Sequence, residues 1–257
     1  MAKATPQRSH SLLLSVHDLN SIFTKLFQDA KASDEFEFCS AILRLRGLEG
    51  PGWDPLKESS VLIQQMLGLM ASPIESSFRT RIALFLYCHV TEMHDLYHVV
   101  GNMLLIAAGS RYNFNCFSGL TALCSKPANY PPSKASNIEL WSIANEFPEL
   151  GNLFGDLVVN EVRNAFFHSD YVLTPESFNI RRGQGVKIGN VIDPKVRFEW
   201  LMPRLELGIN VGLTLIQFVQ SALSSYEENK VVKGRFHSNE SVLVDIELTT
   251  TPGYGLT

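Results

Sequence analysis

Three residues, Arg163, Asn164 and His168, form the pattern of this chain that is best suited to chemistry. They follow the spacing R-x4-H, with a polar residue directly after the arginine. Cleavage of an RNA phosphodiester needs a base for the 2′-hydroxyl, and imidazole is the side chain that titrates nearest to neutral pH. A planar guanidinium can meet two oxygens of the negatively charged phosphorane, and an amide can hold the imidazole or a phosphate oxygen. This chemistry requires no metal ion and no cofactor.

A helix has to bring these three side chains together. Apolar residues at helical spacing predict one helix over about residues 149–167. Residues four apart on a helix share a face, whereas residues five apart lie about 140° apart around the axis. Asn164 and His168 are therefore expected to point the same way, while Arg163 must reach round with its long side chain. The following Ser169-Asp170-Tyr171 predicts that the helix ends there, beside a groove open to solvent.

A purely structural interpretation of the same residues stays open. A histidine near a helix C-terminus interacts favourably with the helix dipole, and Asn and Asp are common near turns. In that case Phe166 and Phe167 are simply core residues, and His168 marks the end of a helix.

The block Arg163–His168 resembles the signature of the HEPN superfamily, R-[polar]-x3-H. The resemblance includes the helical stretches on either side, over about residues 75–225. The resemblance implies a small helical bundle. It also implies a metal-independent endoribonuclease of toxin or defence systems, typically a homodimer with two motifs in one cleft. Inactive members bind RNA or serve as dimerisation modules. The sequence after His168 is one residue longer than the H-x-Y continuation of one toxin subgroup, so no role is carried over to Tyr171.

The fold class predicted from hydrophobic periodicity is mainly α, a helical bundle with a small β-hairpin appendage at about residues 171–198. Residues 1–8 are expected to be a disordered tail, and residues 9–257 a single domain. The predicted helices cover about residues 12–30, 33–45, 56–70, 73–108, 137–146, 149–167 and 198–225. The predicted strands cover residues 171–174, 178–180, 186–188, 196–198, 231–236 and 241–248.

Polar residues interrupt the long apolar helix predicted at about residues 73–108. They are Thr91, Glu92, His94, Asp95, His98 and Asn102. Three interpretations stay open: Glu92, His94, His98 and Asn102 line the same substrate cleft as the motif, or the stripe is a buried network or subunit interface. The third is a metal site, with the two histidines joined by an acidic neighbour. The H-E-x-x-H pattern is absent, so the site prediction includes no metal.

Basic residues cluster in the predicted β region just after the motif. We predict that Arg181, Arg182 and Lys187, with Lys195 and Arg197 nearby, contact the RNA backbone. The alternative is a solvated hairpin whose charges serve solubility.

Composition limits the function classes. The net charge of −4 argues against a broad basic surface for nucleic acid, although it allows a local patch. The four cysteines have no C-x-x-C spacing and indicate free thiols of a reducing compartment. No signal peptide and no plausible membrane span is expected, which favours a cytoplasmic protein without a membrane partner.

These observations favour a metal-independent endoribonuclease that cleaves single-stranded RNA by attack of the 2′-hydroxyl. The expected partners are RNA, a second copy of the chain, and an antitoxin or regulatory protein; no cofactor is expected. The first alternative is a catalytically silent HEPN-like module that binds RNA, a nucleotide or a protein. The second is a metal-dependent hydrolase at His94 and His98.

Overall fold

The computed structural model describes residues 15–43, 54–120, 131–183, 185–226, 230–235, 243–248, 250–251 and 255–256. Within these residues the chain is mainly helical with small antiparallel sheets, which confirms the predicted mainly α class with small β elements. The tail predicted at residues 1–8 lies outside the described residues. The helices are α1 (Val16–Ser33), α2 (Glu35–Leu43), α3 (Pro55–Ala71), α4 (Ser76–Glu92), α5 (His94–Ala107), α6 (Cys116–Leu120), α7 (Pro131–Ala144), α8 (Pro148–Leu157), α9 (Asn160–Phe167) and α10 (Phe198–Ser224).

The six predicted strands are present, and the described residues contain three further strands. The strands are β1 (Tyr171–Leu173), β2 (Ser177–Ile180), β3 (Val186–Ile188), β4 (Val191–Asp193), β5 (Lys195–Arg197), β6 (Lys230–Arg235), β7 (Leu243–Leu248), β8 (Thr250–Thr251) and β9 (Gly255–Leu256). Of these, β4, β8 and β9 were not predicted. Strands β1, β2 and β5 form a three-stranded antiparallel sheet, and β3 pairs with β4. A second hairpin, β6–β7, packs on α2.

Two helices predicted as continuous are each broken in the structure. The helix predicted at residues 73–108 starts only at Ser76 and divides at Met93, whose ψ of 98° is extended. The motif helix divides at Val158 and Val159, so α9 has only eight residues. A smaller difference concerns residues 110–136, predicted as irregular, which contain α6 and the beginning of α7.

Buried tyrosine hydroxyl groups satisfy the backbone at both breaks. The Tyr87 hydroxyl donates to the Leu157 carbonyl over 3.0 Å and accepts from the Val159 N–H over 2.7 Å. The Tyr97 hydroxyl donates over 2.9 Å to the carbonyl of Thr91. A buried carbonyl or N–H without a partner is costly, so these hydroxyls allow the helices to break inside the protein.

Helix α10 packs closely against α4 through two glycines one turn apart. A Cβ at Gly208 would lie 2.6 Å from the Tyr87 ring, and a Cβ at Gly212 would lie 2.4 Å from a methyl of Val90. Only glycine therefore lets the two helices approach this far without a shift. This contact holds the Tyr87 ring and, through its hydroxyl, the beginning of α9.

The β region is joined to the motif helix by stacked aromatic rings. Tyr171 stacks on Phe178 with centroids 4.8 Å apart, and on Phe166 with centroids 5.5 Å apart. Phe178 and Val196 are fully buried on the inner face of the three-stranded sheet. The sheet therefore fixes the chain immediately after the motif.

Helix α10 is, within the described ranges, the one helix whose length and composition would allow it to cross a membrane. Half of its most apolar stretch is buried inside the protein. Helices in the core of a soluble protein show the same properties, so this finding is weak support for a membrane span.

We expect Tyr87→Phe to lower the free energy of unfolding by about 2–4 kcal/mol, because it leaves one buried carbonyl and one buried N–H without partners. The matched control is Tyr97→Phe, which removes one hydrogen bond from an equally buried ring and should cost about 1–2 kcal/mol. Urea denaturation measures both values. Equal losses in the two variants would contradict the role assigned to Tyr87.

We expect His89 to weaken the fold in acid. Its ring stacks nearly parallel to Phe85, and its Nε2 is buried without a hydrogen-bond partner among the described residues. Burial lowers the pKa of His89 below its ordinary value. The unfolded chain therefore takes up the proton first, so this contribution to stability is present above about pH 6.5 and is lost as the pH falls. The melting temperature of His89→Gln should fall less than that of wild type between about pH 7.5 and about pH 5.5. The exposed His17→Gln should behave as wild type.

Candidate functional site

The motif helix α9 ends in a Schellman motif. The Asp170 N–H donates to the Ala165 carbonyl over 2.8 Å, and the Ser169 N–H donates to the Phe166 carbonyl over 3.1 Å. A Schellman motif requires one residue in the left-handed conformation, which is usually glycine. Here that residue is Ser169, with φ = 55°. The backbone beside His168 is therefore strained, at a cost of about 1 kcal/mol.

His168 lies at the C-cap of α9 with its side chain exposed. Its backbone N–H donates to the Asn164 carbonyl over 3.0 Å, so helical geometry persists up to this residue. Asn164 and His168 consequently share one face of the helix, as predicted from their spacing. None of the described residues forms a hydrogen bond with the imidazole, which leaves both ring nitrogens available to solvent or a ligand.

Arg163 turns inward, unlike His168. Its side chain is only 13% exposed, and Nη1 forms an ion pair with Glu92 at the end of α4. Nη2 donates to Asn164 Oδ1 over 2.8 Å, while Nε is buried without a partner among the described residues. The structure therefore brings Glu92, Arg163 and Asn164 into one chain of contacts beneath the exposed His168.

The aromatic neighbours of the motif differ in burial. Phe166 is partly buried in the ring stack with Tyr171, but Phe167 is 51% exposed. The purely structural interpretation placed Phe167 in the core, which is wrong, because this residue lies on the side of α9 away from the buried Val162 and Ala165. Val172, on the outer face of β1, is also exposed close by in sequence.

The contacts of His94 and His98 lead to a lysine that the sequence did not indicate. Lys134 on α7 is 4% exposed, and its Nζ lies 2.7 Å from His94 Nδ1 and 3.4 Å from His98 Nε2. As an ammonium, Nζ would donate to both of these ring nitrogens, because an ammonium has no acceptor. The other nitrogen of His98 faces Cys116 Sγ at 3.8 Å. Nζ occupies the position between the two rings that a bridging metal ion would need.

Asn102 belongs to the same buried region. Its Nδ2 donates to the His98 carbonyl over 3.1 Å, and its Oδ1 accepts from the Asn113 N–H over 2.8 Å. These contacts fit the interpretation of the polar stripe as a hydrogen-bonded network. Glu92, by contrast, pairs with Arg163 of the motif. Among the described residues, no group of three or more His, Cys, Asp or Glu side chains is arranged to hold a metal ion.

The described cysteines are poor nucleophiles. Cys39, Cys88 and Cys116 are free and buried, whereas Cys124 lies outside the described residues. Burial raises the pKa of Cys88 to about 12, although the nearby charge of Arg163 acts in the opposite direction. Burial likewise raises the pKa of Cys116 to about 12. These thiols stay protonated at neutral pH and pack as small apolar side chains.

The predicted basic residues are all exposed in the β region that follows the motif. Arg181 donates its backbone N–H to the Asp170 carbonyl over 2.8 Å, and Arg182 Nε lies 3.5 Å from Asp170 Oδ1. Both arginines are therefore tied to the residue two positions after His168. The further exposed cations are Lys187 on β3 and Lys195 and Arg197 on β5.

The sequence did not indicate Lys134, Tyr87 or the strain at Ser169. Lys134 fell in a stretch predicted as irregular, and the signal that it belongs to a helix is its spacing with Asn137, Ile138 and Trp141, which are all buried. The partner of Arg163, Glu92, lies 71 positions away; the sequence indicated it as one candidate for the same cleft, but not as an ion-pair partner.

Comparisons with protein-family models, curated proteins and solved structures find no match to this chain. The likeness to the HEPN superfamily therefore rests on the motif and its helical setting. Function has to be inferred from the chemistry and positions of these side chains.

We expect Ser169→Gly to raise the free energy of unfolding by about 0.5–1 kcal/mol, because glycine adopts the left-handed conformation without strain. Glu146, which has φ = 68° at the end of α7, provides the matched control. Glu146→Gly should stabilise the protein by a similar amount without affecting His168. Thermal denaturation of both variants measures the effect, and a destabilised Ser169→Gly would show that the serine side chain compensates for its backbone.

Proposed function

We propose that this chain is a metal-independent endoribonuclease of the HEPN type, with His168 as the acid or base. The observation that carries the proposal is the exposed imidazole on the same helix face as Asn164. The Asn164 amide accepts from Arg163, which is itself paired with Glu92. An exposed histidine beside an amide that a buried guanidinium holds in place suits general acid–base chemistry at neutral pH.

The proposed reaction needs no group beyond the side chains and the RNA. His168 accepts the proton of a ribose 2′-hydroxyl, and the oxygen attacks the adjacent phosphorus. A new P–O2′ bond forms as the P–O5′ bond breaks, and the leaving 5′-oxygen takes up a proton. The products are a 2′,3′-cyclic phosphate and a free 5′-hydroxyl. Hydrogen-bond donors beside the phosphorane stabilise the charge that it gains in the transition state.

The exposed cations of the β region support RNA as the substrate. Arg181, Arg182 and Lys187 follow the motif directly and carry exposed charges. Cations of this kind contact phosphates without reading base sequence, which suits a nuclease for single-stranded RNA.

We propose further that the active form is a homodimer. Each chain has one motif histidine. The cleavage step needs a base and an acid, and a dimer supplies two histidines for these two roles. Exposed apolar side chains next to the motif, among them Phe167 and Val172, are consistent with a surface covered by a second copy. The HEPN resemblance also implies a shared cleft, a toxin or defence setting, and an antitoxin or regulatory partner.

A second candidate is a catalytically silent module that binds RNA, a nucleotide or a protein. The observation that favours it is the ion pair between Glu92 and Arg163, which neutralises the guanidinium and removes most of it from solvent. In such a module the arginine stabilises the fold and His168 only ends a helix.

The deciding assay measures cleavage of single-stranded RNA by the purified protein in excess EDTA. We expect cyclic-phosphate products from wild type and a loss of about 10²-fold or more in His168→Ala, the usual value for a positioned acid or base. Arg163→Ala should lose a similar factor. His94→Ala should lose less, and the exposed His17→Ala serves as the control for histidine removal.

Two outcomes would contradict this proposal. Binding of RNA or a partner without cleavage under any condition would favour the silent module. Loss of activity in EDTA together with inactive His94→Ala would favour a metal-dependent hydrolase at His94 and His98. Light scattering that gives the 28.7 kDa monomer at micromolar concentration would contradict the dimer.

A further inference from the structure

We infer that the amide nitrogen of Asn164 contacts the phosphate together with His168, and that Arg163 and Glu92 position this amide from inside the protein. The inference rests on the proposed function for the class of ligand, a phosphate or phosphodiester. It differs from the role that the motif suggests for Arg163, which is direct contact with the phosphate.

The orientation of the Asn164 amide follows from hydrogen-bond chemistry. A guanidinium has donors and no acceptor, so the atom of Asn164 that faces Arg163 Nη2 at 2.8 Å has to be the oxygen. The Nδ2 group, with two N–H donors, is consequently turned away from Arg163. Asn164 is partly exposed, and none of the described residues accepts a hydrogen bond from Nδ2. A fixed pair of donors is therefore presented at the surface.

Arg163 itself is poorly placed to meet a ligand. Its side chain is largely buried, one terminal nitrogen is paired with Glu92, and the other holds Asn164. Turning outwards would break both contacts and separate the guanidinium from a carboxylate that is itself two-thirds buried. Breaking such a pair is costly, so the arginine stays where it is when a ligand binds.

His168 and Asn164 lie on one face of α9, where their side chains are within about 6 Å of each other at the level of Cβ. An anion here would approach the C-terminal end of a helix, which is normally unfavourable. The Schellman motif reduces this penalty, because the carbonyls of Ala165 and Phe166 and that of Asn164 are already occupied by backbone N–H groups. The exposed Arg181 and Arg182 supply positive charge close by in the chain.

The probe for this inference is inorganic phosphate, followed by NMR of the full-length protein. We expect phosphate to shift the side-chain amide signal of Asn164 and the ring signals of His168 with the same saturation curve. The Nε signal of Arg163 should stay in place. The Asn164 amide signal is assigned by its loss in Asn164→Asp.

Asn164→Asp tests the contact. The carboxylate still accepts from Arg163, so the fold is retained, but both donors are lost and a negative charge faces the anion. Phosphate affinity at His168 should fall roughly tenfold or more. Asn152→Asp, on the exposed surface of α8, adds the same charge elsewhere and should leave the affinity unchanged.

Glu92 variants test the positioning role. In Glu92→Gln the side-chain oxygen still accepts from Arg163, so phosphate affinity should remain within about threefold of wild type. Glu92→Ala should release Arg163, make the Asn164 amide signal resemble that of a mobile side chain, and weaken phosphate binding about tenfold. Rescue by glutamine separates positioning by a hydrogen bond from a requirement for the carboxylate charge.

A phosphate-induced shift of Arg163 Nε with an unmoved Asn164 amide would overturn the inference, as would the absence of any shift at Asn164 and His168. The RNA cleavage assay is a separate measurement. If phosphate shifts Asn164 and His168 while no RNA is cut, the endoribonuclease proposal fails and the anion contact stands.

Discussion

The position of the motif depends on one buried hydroxyl group. Tyr87 donates to the last residue of α8 and accepts from the residue just before α9, so a single side chain replaces the helical hydrogen bonds lost between Leu157 and Val159. Gly208 on α10 leaves room for its ring. Because α4 carries both Tyr87 and Glu92, one helix determines where α9 begins and also supplies the partner of Arg163. A shift of α4 would therefore move the start of the motif helix and its ion pair together.

Hydrophobic periodicity predicted most helices and strands, because it records which side of an element faces the core. It failed at two places where the chain breaks inside a predicted helix. Across Met93 the apolar residues Val90, Met93 and Leu96 keep helical spacing between polar neighbours, so the period continues although the backbone does not. The break is satisfied by the hydrogen bond from the Tyr97 hydroxyl to the Thr91 carbonyl six positions earlier, which hydrophobic periodicity does not record. The break at Val158 and Val159 depends on Tyr87 across an even longer separation.

The candidate site, like the fold, was predictable where local helical spacing decides the geometry and not where distant contacts decide it. Spacing on a helix was sufficient to place Asn164 and His168 on one face and to end the helix after His168. It could not decide whether Arg163 reaches solvent, since that depends on the carboxylate of Glu92, 71 positions earlier. The direction of a long, flexible cationic side chain depends on where its ion-pair partner lies more than on its position on the helix. The same reasoning applies to Lys134, whose buried Nζ lies against the imidazoles of His94 and His98.

The charged residues of the site form two groups, a largely buried pair and a set of exposed cations. This division explains why the net charge of the chain says little about its ligand. Beneath the surface, Glu92 and Arg163 neutralise each other and contribute no net attraction for an anion at a distance. Long-range attraction then has to come from the exposed cations that follow the motif, beginning with Arg181 and Arg182, and is screened by salt. The inner pair acts only at contact, through the donors of the Asn164 amide that it orients. The outer residues thus affect how readily an anion arrives at His168, and the inner residues affect how it is held there.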